Sequence, residues 1–492
     1  MKSLFPRFSA LPVPLLTPGV CRALRQGKST TCGRLLHDAG ALSPAAAAAT
    51  ARAASAAGQA GSAWAWALDG CSEERARGVT LSTGLARLTA KGRTLVLLDA
   101  PGHADLARGG GGDDAGCTSR AFLTHARTSP RVRIQQVPSA VEGACRADVA
   151  LLFVDASPGA GEAGLGGGHT GEHAAIARAC GCASLVVALN KMDAVGWGAA
   201  RCDELASAMA PLLRSAGWAL PDVRFVPISG REGVNTLSRL PPSHPLASSA
   251  WGSVCLIDAL LSSPLPPPSP PGPLRVPIFE VISAGAPGRP GFGHNVVGGR
   301  VACGALRPGL RAVLAPSGAA CTVAAVAMAG EDGACDVAYA GDSVEIGLSF
   351  PPSAGDPTPS LLPGCVLCVR PSPAAAVLTV RVAVVSPTLP LLPGMVVTLH
   401  VGASRCAATI EALLSVASSP GADPAAPVPR PRRLLRGCTG VLTLRPEKPV
   451  AAQPFSECRP MGRVVLREGG VTLALGVVER EVPEEAADAA GK

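Results

Sequence analysis

The chain has 492 residues, enough for two to four domains with cores of their own. Its net charge of +8 permits a nucleic-acid or ribosomal partner without requiring one, and only 16% of residues are charged. Seventeen cysteines, odd in number and without paired spacing, argue against a disulfide scaffold, and no apolar run approaches the ~20 residues of a membrane span.

The first 37 residues carry no acid and include Lys2, Arg7, Arg22 and Arg25, a composition shared with organelle transit peptides; the cysteine usage points instead to the cytoplasm. Leu11–Pro18 is too proline-rich for a central strand, so no strand is expected ahead of the segment that follows. That segment, Gln26-Gly27-Lys28-Ser29-Thr30, opens a helix over Thr31–Gly40. It reads as the second half of a phosphate-binding loop: backbone N–H groups at the helix start hold phosphates, Lys28 neutralises their charge and the Ser29 hydroxyl ligates Mg²⁺. The full motif needs glycine five positions before Gly27, where this chain has Arg22.

Ala45–Ala60 reads as a helix or a low-complexity spacer. The polar stretch Glu73–Thr80 precedes a strand, and Thr80 fits either a switch loop that completes an Mg²⁺ shell or a charged surface turn. The apolar run Thr94–Leu98 then delivers Asp99-Ala-Pro-Gly102-His103. Asp99 can reach a metal-bound water, the Gly102 N–H can face a terminal phosphate, and His103 can orient an attacking water. Asp-x-Pro-Gly is also ordinary turn chemistry, so the neighbouring motifs decide its role.

From Gly109 to about Gln136 the chain shows no clear periodicity. Val137–Asp148 reads as helix leading into Val149–Asp155, an unbroken apolar run expected of a central parallel strand. A helix from His169 to Ala179 and a strand over Ser184–Leu189 follow, delivering Asn190-Lys191-Met192-Asp193. The Asp193 carboxylate can accept from the N1–H and exocyclic amine of guanine, donors adenine does not present together, while the Lys191 stem can cover the base. The strand Val223–Ile228 ends in Ser229-Gly230, whose backbone can hold the base oxygen. Strands alternating with helices predict a doubly wound α/β domain with ligand at the strand carboxyl ends.

Ser262–Pro273 is a proline-rich linker and a domain boundary. Beyond it, short β-rich runs fall into two sets, Val276–Ser283 through Gly364–Val369 and Val377–Val385 through Gly462–Val478, which predict two antiparallel barrels. Between them the basic run Arg430–Arg436 reads as a solvated face, with an RNA or ribosome contact as the alternative. Cys365-Val-Leu-Cys368 has no second pair, so it reads as strand interior and not as a zinc site.

The ordered set GKST, RARGVT, DAPGH, NKMD and SG, followed by two barrels, resembles the translational GTPases of the elongation factor 1-alpha class. Asp155–Gly164 with His169–His173, Asn190–Trp197, and Ala65–Asp69 leading to Thr80 look most like the Hbs-type ribosome-rescue GTPases that partner Pelota. The terminal Met461–Thr472 and Gly476–Val478 look like the third-barrel signature of the class.

This resemblance implies a GTP-hydrolysing enzyme that binds GTP and GDP with Mg²⁺. Gly27, Lys28, Ser29, Thr30 and Gly102 would bind phosphate, Ser29, Thr80 and Asp99 metal, and Asn190, Lys191, Asp193, Ser229 and Gly230 guanine, with His103 catalytic. It implies a cytoplasmic monomer acting on the ribosome with a Pelota-type factor. The alternatives are a carrier of aminoacyl-tRNA, a termination GTPase, or a non-cycling scaffold that keeps the fold.

The implied domains are 1–262 for GTP (with 1–26 departing from the family pattern and 107–136 inserted), a linker at 263–273, barrels at 274–372 and 373–483, and a tail at 484–492. The departures are Arg22 in the phosphate loop and the displacement of the Val137-Pro-Ser continuation by about thirty residues, beyond usual loop lengths. A retained intron and a mis-assigned first exon would account for both.

Overall fold

The computed structural model describes residues 18–21, 27–56, 63–67, 84–99, 141–161, 169–267, 269–282, 292–293, 295–331, 333–351, 361–370, 374–386, 389–418 and 428–483. Six strands open the described chain: β1 (Pro18–Cys21), β2 (Gly84–Ala90), β3 (Arg93–Asp99), β4 (Val149–Asp155), β5 (Ser184–Asn190) and β6 (Val223–Pro227). They form one sheet of order β2-β3-β1-β4-β5-β6. β2 runs antiparallel to β3, whereas β3, β1, β4, β5 and β6 are mutually parallel.

β4 and β5 are buried at every position, as unbroken apolar text requires of strands covered on both faces. Leu151 and Phe153 face one layer with Leu35 of α1 (Lys28–Asp38), and α5 (Leu256–Leu261) adds Leu256 and Leu260 to that layer. Leu152 and Val154 face the other, with Ile176 of α3 (His169–Cys180) and Leu205, Met209 and Leu213 of α4 (Ala199–Ser215). This is the doubly wound arrangement. Between α1 and α3, the Ala-rich segment forms α2 (Pro44–Ala56), with Ala54 its buried residue.

The expected absence of a strand ahead of the phosphate loop is corrected by β1. Pro18-Gly-Val-Cys21 fills the central slot, pairing Gly19 with Leu98 on one side and Cys21 with Leu152 on the other. Pro18 stands at the first residue of the strand, where a missing N–H is tolerated.

Two barrels follow. The first is closed in the order β10-β11-β13-β8-β7-β14. Its strands are β7 (Arg275–Ile282), β8 (Asn295–Arg300), β10 (Arg311–Ala315), β11 (Ala319–Met328), β13 (Ser343–Ser349) and β14 (Val366–Cys368), with a small side pair of β9 (Ala305–Leu306) and β12 (Ala338–Tyr339). Cys365 and Cys368 are buried at β14, and burial pushes the Cys365 thiol up.

In the second barrel, β15 (Ala374–Val384), β16 (Val396–Val401), β17 (Ser404–Ser418), β19 (Thr439–Pro446), β21 (Arg463–Glu468) and β22 (Val471–Pro483) form the ring, closed by the β16–β17 pairing. The short strands β18 (Val428–Pro429) and β20 (Val450–Ala451) pair with β17 and β15. The basic run lies inside this barrel's chain, between β18 and β19, and not between the barrels. Leu434 is buried there and bridges to Leu391, while Arg430, Arg432, Arg433 and Arg436 are exposed. A buried leucine thus anchors an exposed cationic loop.

Candidate functional site

In a parallel sheet the carboxyl ends of the strands share one edge, and the register brings the motifs together there. Asp99 ends β3 paired with Val20, Cys21 ends β1, and Asp155 of β4 is paired with Asn190 of β5. Beyond β6, Ser229 and Val234 exchange two backbone hydrogen bonds that close the loop after the strand.

The helix end of this edge begins with Gly27 at φ 78, a left-handed conformation that favours glycine, capping α1. The Gly27 carbonyl accepts both the Thr31 N–H at 2.8 Å and the Thr31 hydroxyl at 2.7 Å. Lys28 is buried beside it, and Ser29 and Thr30 are half-buried in the first helical turn.

Asn190 joins this end to the loop after β6. Its Oδ1 accepts the buried Gly230 N–H at 2.8 Å, and its Nδ2 lies 2.5 Å from where a Cβ on Gly27 would sit. A Cβ on Gly230 would fall 1.9 Å from the Thr31 hydroxyl. The two glycines therefore permit an approach that no side chain would allow, and Asn190 ties three segments into one cradle.

Lys191 adopts φ 65 and its ammonium pairs with the Asp155 carboxylate, whose other oxygen accepts the Ser157 N–H at 2.9 Å. That ion pair stretches the lysine stem across the edge of the sheet. Asp193 stands exposed in the short 3₁₀ turn Met192–Val195, with its carboxylate open to a ligand. Ser229 is fully buried, and its Oγ accepts the Glu232 N–H at 3.4 Å.

Sequence reasoning missed Asp155 as the partner of Lys191 and Thr31 as the residue packed on Gly230. The end of an apolar strand was the available signal for Asp155, but its partner emerges only from the β4–β5 register. Trp64 was also hidden: its ring centroid lies 4.7 Å from that of His37, and Arg34 sits 5.2 Å over it. Thr80, Gly102 and His103 lie outside the described residues, as does the Asp99 side chain.

The donor set suits a guanine nucleotide. N–H groups and a buried lysine stand at the helix start, and the exposed Asp193 carboxylate stands in the turn just after β5. A doubly wound sheet with this edge, followed by two barrels, defines a GTP-binding domain of the translation-factor type.

The family described as elongation factor Tu GTP binding domain matches residues 15–108 and 137–265, and that described as GTP-eEF1A C-terminal domain-like matches 377–479. Elongation factor 1-alpha of Thermofilum pendens is 30% identical over 468 residues, 94% of this chain and 97% of that protein. Protein HBS1 of Drosophila melanogaster is 29% identical over 458 residues, 92% of this chain and 61% of that protein. The GTP-bound GTPase-like domain of S. cerevisiae Ski7 shares the fold, with a TM-score of 0.69 at 15% identity, 95% of this chain and 98% of that one. The chain belongs to the elongation factor 1-alpha family of translational GTPases, whose members hydrolyse GTP.

Proposed function

We propose that this chain is a GTP-hydrolysing translation factor of the ribosome-rescue branch, acting in the cytoplasm as a monomer with a Pelota-type partner. The observation that carries the nucleotide part is Asn190, which holds the Gly230 base loop against the Gly27 phosphate loop. What supports the branch is the trio of Hbs-like stretches, Asp155–Gly164 with His169–His173, Asn190–Trp197, and Ala65–Asp69 leading to Arg77–Thr80, together with the likeness to HBS1.

In this reading the guanine N1–H and exocyclic amine donate to Asp193, the Lys191 stem covers the base, and the Ser229 and Gly230 backbone meets its oxygen. Gly27, Lys28, Ser29 and Thr30 hold the phosphates. Ser29, Thr80 and Asp99 would hold Mg²⁺, which neutralises phosphate charge when bound. Gly102 senses the terminal phosphate, and His103 orients the attacking water and keeps its lone pair aimed in line. Loss of that phosphate releases both switch segments and, through them, the partner.

Asp193→Asn tests the base reading. An amide presents donors to a 2-oxo group, so GTP affinity is expected to fall at least tenfold while xanthosine triphosphate binding rises, measured by competition against a fluorescent nucleotide. Unchanged discrimination would sink the assignment. Capture of purified Pelota-type factor against aminoacyl-tRNA tests the branch: preference for the tRNA would return the chain to the elongation-type reading, which the 30% identity to elongation factor 1-alpha favours. Absence of GTP binding altogether would favour the non-cycling scaffold, for which Arg22 in the phosphate loop is the motive.

A further inference from the structure

Three cysteines meet where the GTP-binding domain touches the second barrel, away from the nucleotide edge. The Cys180 thiol at the end of α3 lies 3.8 Å from the Val141 carbonyl of the helical turn 141–146. The Cys182 thiol contacts the carbonyls of Ala144 at 3.9 Å and Ala147 at 3.8 Å. Cys145 is four residues on from Val141, and a helical side chain leans back over the preceding turn, so its sulfur shares the face that Cys180 touches. Cys145 and Cys180 line one cavity, and hydrogen bonding to Cys145, then burial, holds the Cys180 thiol well above the usual thiol range.

The surroundings favour chemistry at this pair. Arg463 of β21 reaches across from the barrel, donating to the Ala179 carbonyl at 2.8 Å and standing 5.0 Å over the Phe455 ring. Its guanidinium lies beside the three cysteines and brings a positive charge to the cluster. Cys145 is half-buried and lines a cavity of about 1050 Å³ at the junction of the three domains, which gives a small oxidant a way in. Cys180, nearly closed off, is placed to resolve whatever forms on Cys145.

We propose that Cys145 and Cys180 form a reversible disulfide when the chain meets a hydroperoxide. The Cys145 thiolate attacks the peroxide: an S–O bond forms, the O–O bond breaks, sulfur gives up two electrons, and the departing oxygen leaves as an alcohol or water once protonated. The Cys180 thiol then attacks the sulfenic sulfur. The S–S bond forms, the S–OH bond breaks, and water leaves carrying the Cys180 proton. The bond ties the turn 141–146 to the end of α3, directly under the contact that Arg463 of the second barrel makes with Ala179.

The test treats the full chain with hydrogen peroxide, caps remaining thiols and maps peptides without reduction. A Cys145–Cys180 cross-linked peptide, lighter by two hydrogens than its parts, is expected, and dithiothreitol should abolish it. Cys182→Ser should leave the bridge in place. Cys180→Ser should leave Cys145 open to dimedone, which traps sulfenic acid. A bridge from either cysteine to Cys182, or Cys145 left reduced while other cysteines oxidise, would overturn the proposal. Because the wild-type map is decisive alone, it does not depend on any variant folding.

Discussion

At the residue scale, one amide coordinates the nucleotide edge. Asn190 is 3% exposed, and removing its side chain leaves the buried Gly230 N–H without its acceptor. Such a loss costs about 1–3 kcal/mol, so Asn190→Ala is expected to weaken GTP binding roughly 10–100-fold, read by titration with a fluorescent analogue. A second residue governs pH response. Burial pushes the Glu142 carboxyl up to about 7 from 4.5, opposed by Arg146 and reinforced by Glu280 of β7. Because the folded chain holds this proton more tightly, its contribution to stability is complete below pH 4.5 and is lost as pH rises through about 7. His400 on β16 works in the other direction: burial, then Arg467 and Arg405, lower it to about 3, so its contribution is complete above 6.5 and is lost as pH falls toward 3. Urea unfolding of Glu142→Gln against wild type across pH 4 to 8 separates them: the difference curve should rise between the two Glu142 values and be flat above. A flat difference throughout would remove Glu142 from the account.

At the scale of elements, alternation and motif placement were legible wherever packing follows from local text. β4 is the apolar run the sequence marks, and the Asn190 and Ser229 loops stand at strand ends as their spacing implies. Ala-rich strands were not legible. β11, Ala-Ala-Cys-Thr-Val-Ala-Ala-Val-Ala-Met, and β17, with Ile-Glu-Ala-Leu-Leu at its centre, carry residues that suit a helix, and only their barrel partners make them strands. β1 was lost because its identity comes from the slot between β3 and β4, not from its four residues. The same scale frames the 28 residues that the family match omits between 108 and 137. Their text has no periodicity and stands between the Asp99–His103 motif and the turn 141–146, which packs under β4 and α3 through Val141 and Ala144. A chain lacking residues 109–136 is expected to keep its unfolding midpoint and to hydrolyse GTP at least tenfold faster than the full chain, measured as phosphate release. Equal turnover would mean the segment does not burden the switch.

At the scale of the whole molecule, the GTP-binding domain is held to both barrels by charged pairs that each have one buried partner. Arg146 reaches Glu280 of the first barrel at 3.3 Å, and Arg300 of β8 pairs with Asp148 and donates to the Arg146 carbonyl at 2.6 Å. These contacts begin at the turn 141–146, so the segment after Asp99 leads by covalent connection to the first barrel's docking surface. The second barrel is held by Glu172 of α3. Its Oε1 accepts from the Thr472 hydroxyl at 2.6 Å and the Thr472 N–H at 3.1 Å, with Arg467 at 3.5 Å. Arg467 is only 4% exposed and keeps hydrogen bonds to the Gly470 carbonyl and the Thr472 hydroxyl when Glu172 is removed. Breaking a buried pair costs about 3–5 kcal/mol, and the retained partners place Glu172→Ala at the lower end. Thr472→Val keeps the N–H bond and should cost about 1 kcal/mol. Because the Thr472 hydroxyl meets both the Glu172 carboxylate and Arg467, the two changes are coupled, and the double variant should depart from the sum of the two by about 1 kcal/mol in a denaturant cycle. If the contact is what docks the barrel, Glu172→Ala will also split unfolding into two transitions, the barrel's ring of Val380, Leu399, Leu442 and Leu466 holding its own core after the GTP-binding domain has melted. A single coincident transition in the variant, with additive costs, would assign the docking to the apolar contacts of Val465 with the GTP-binding domain's core instead.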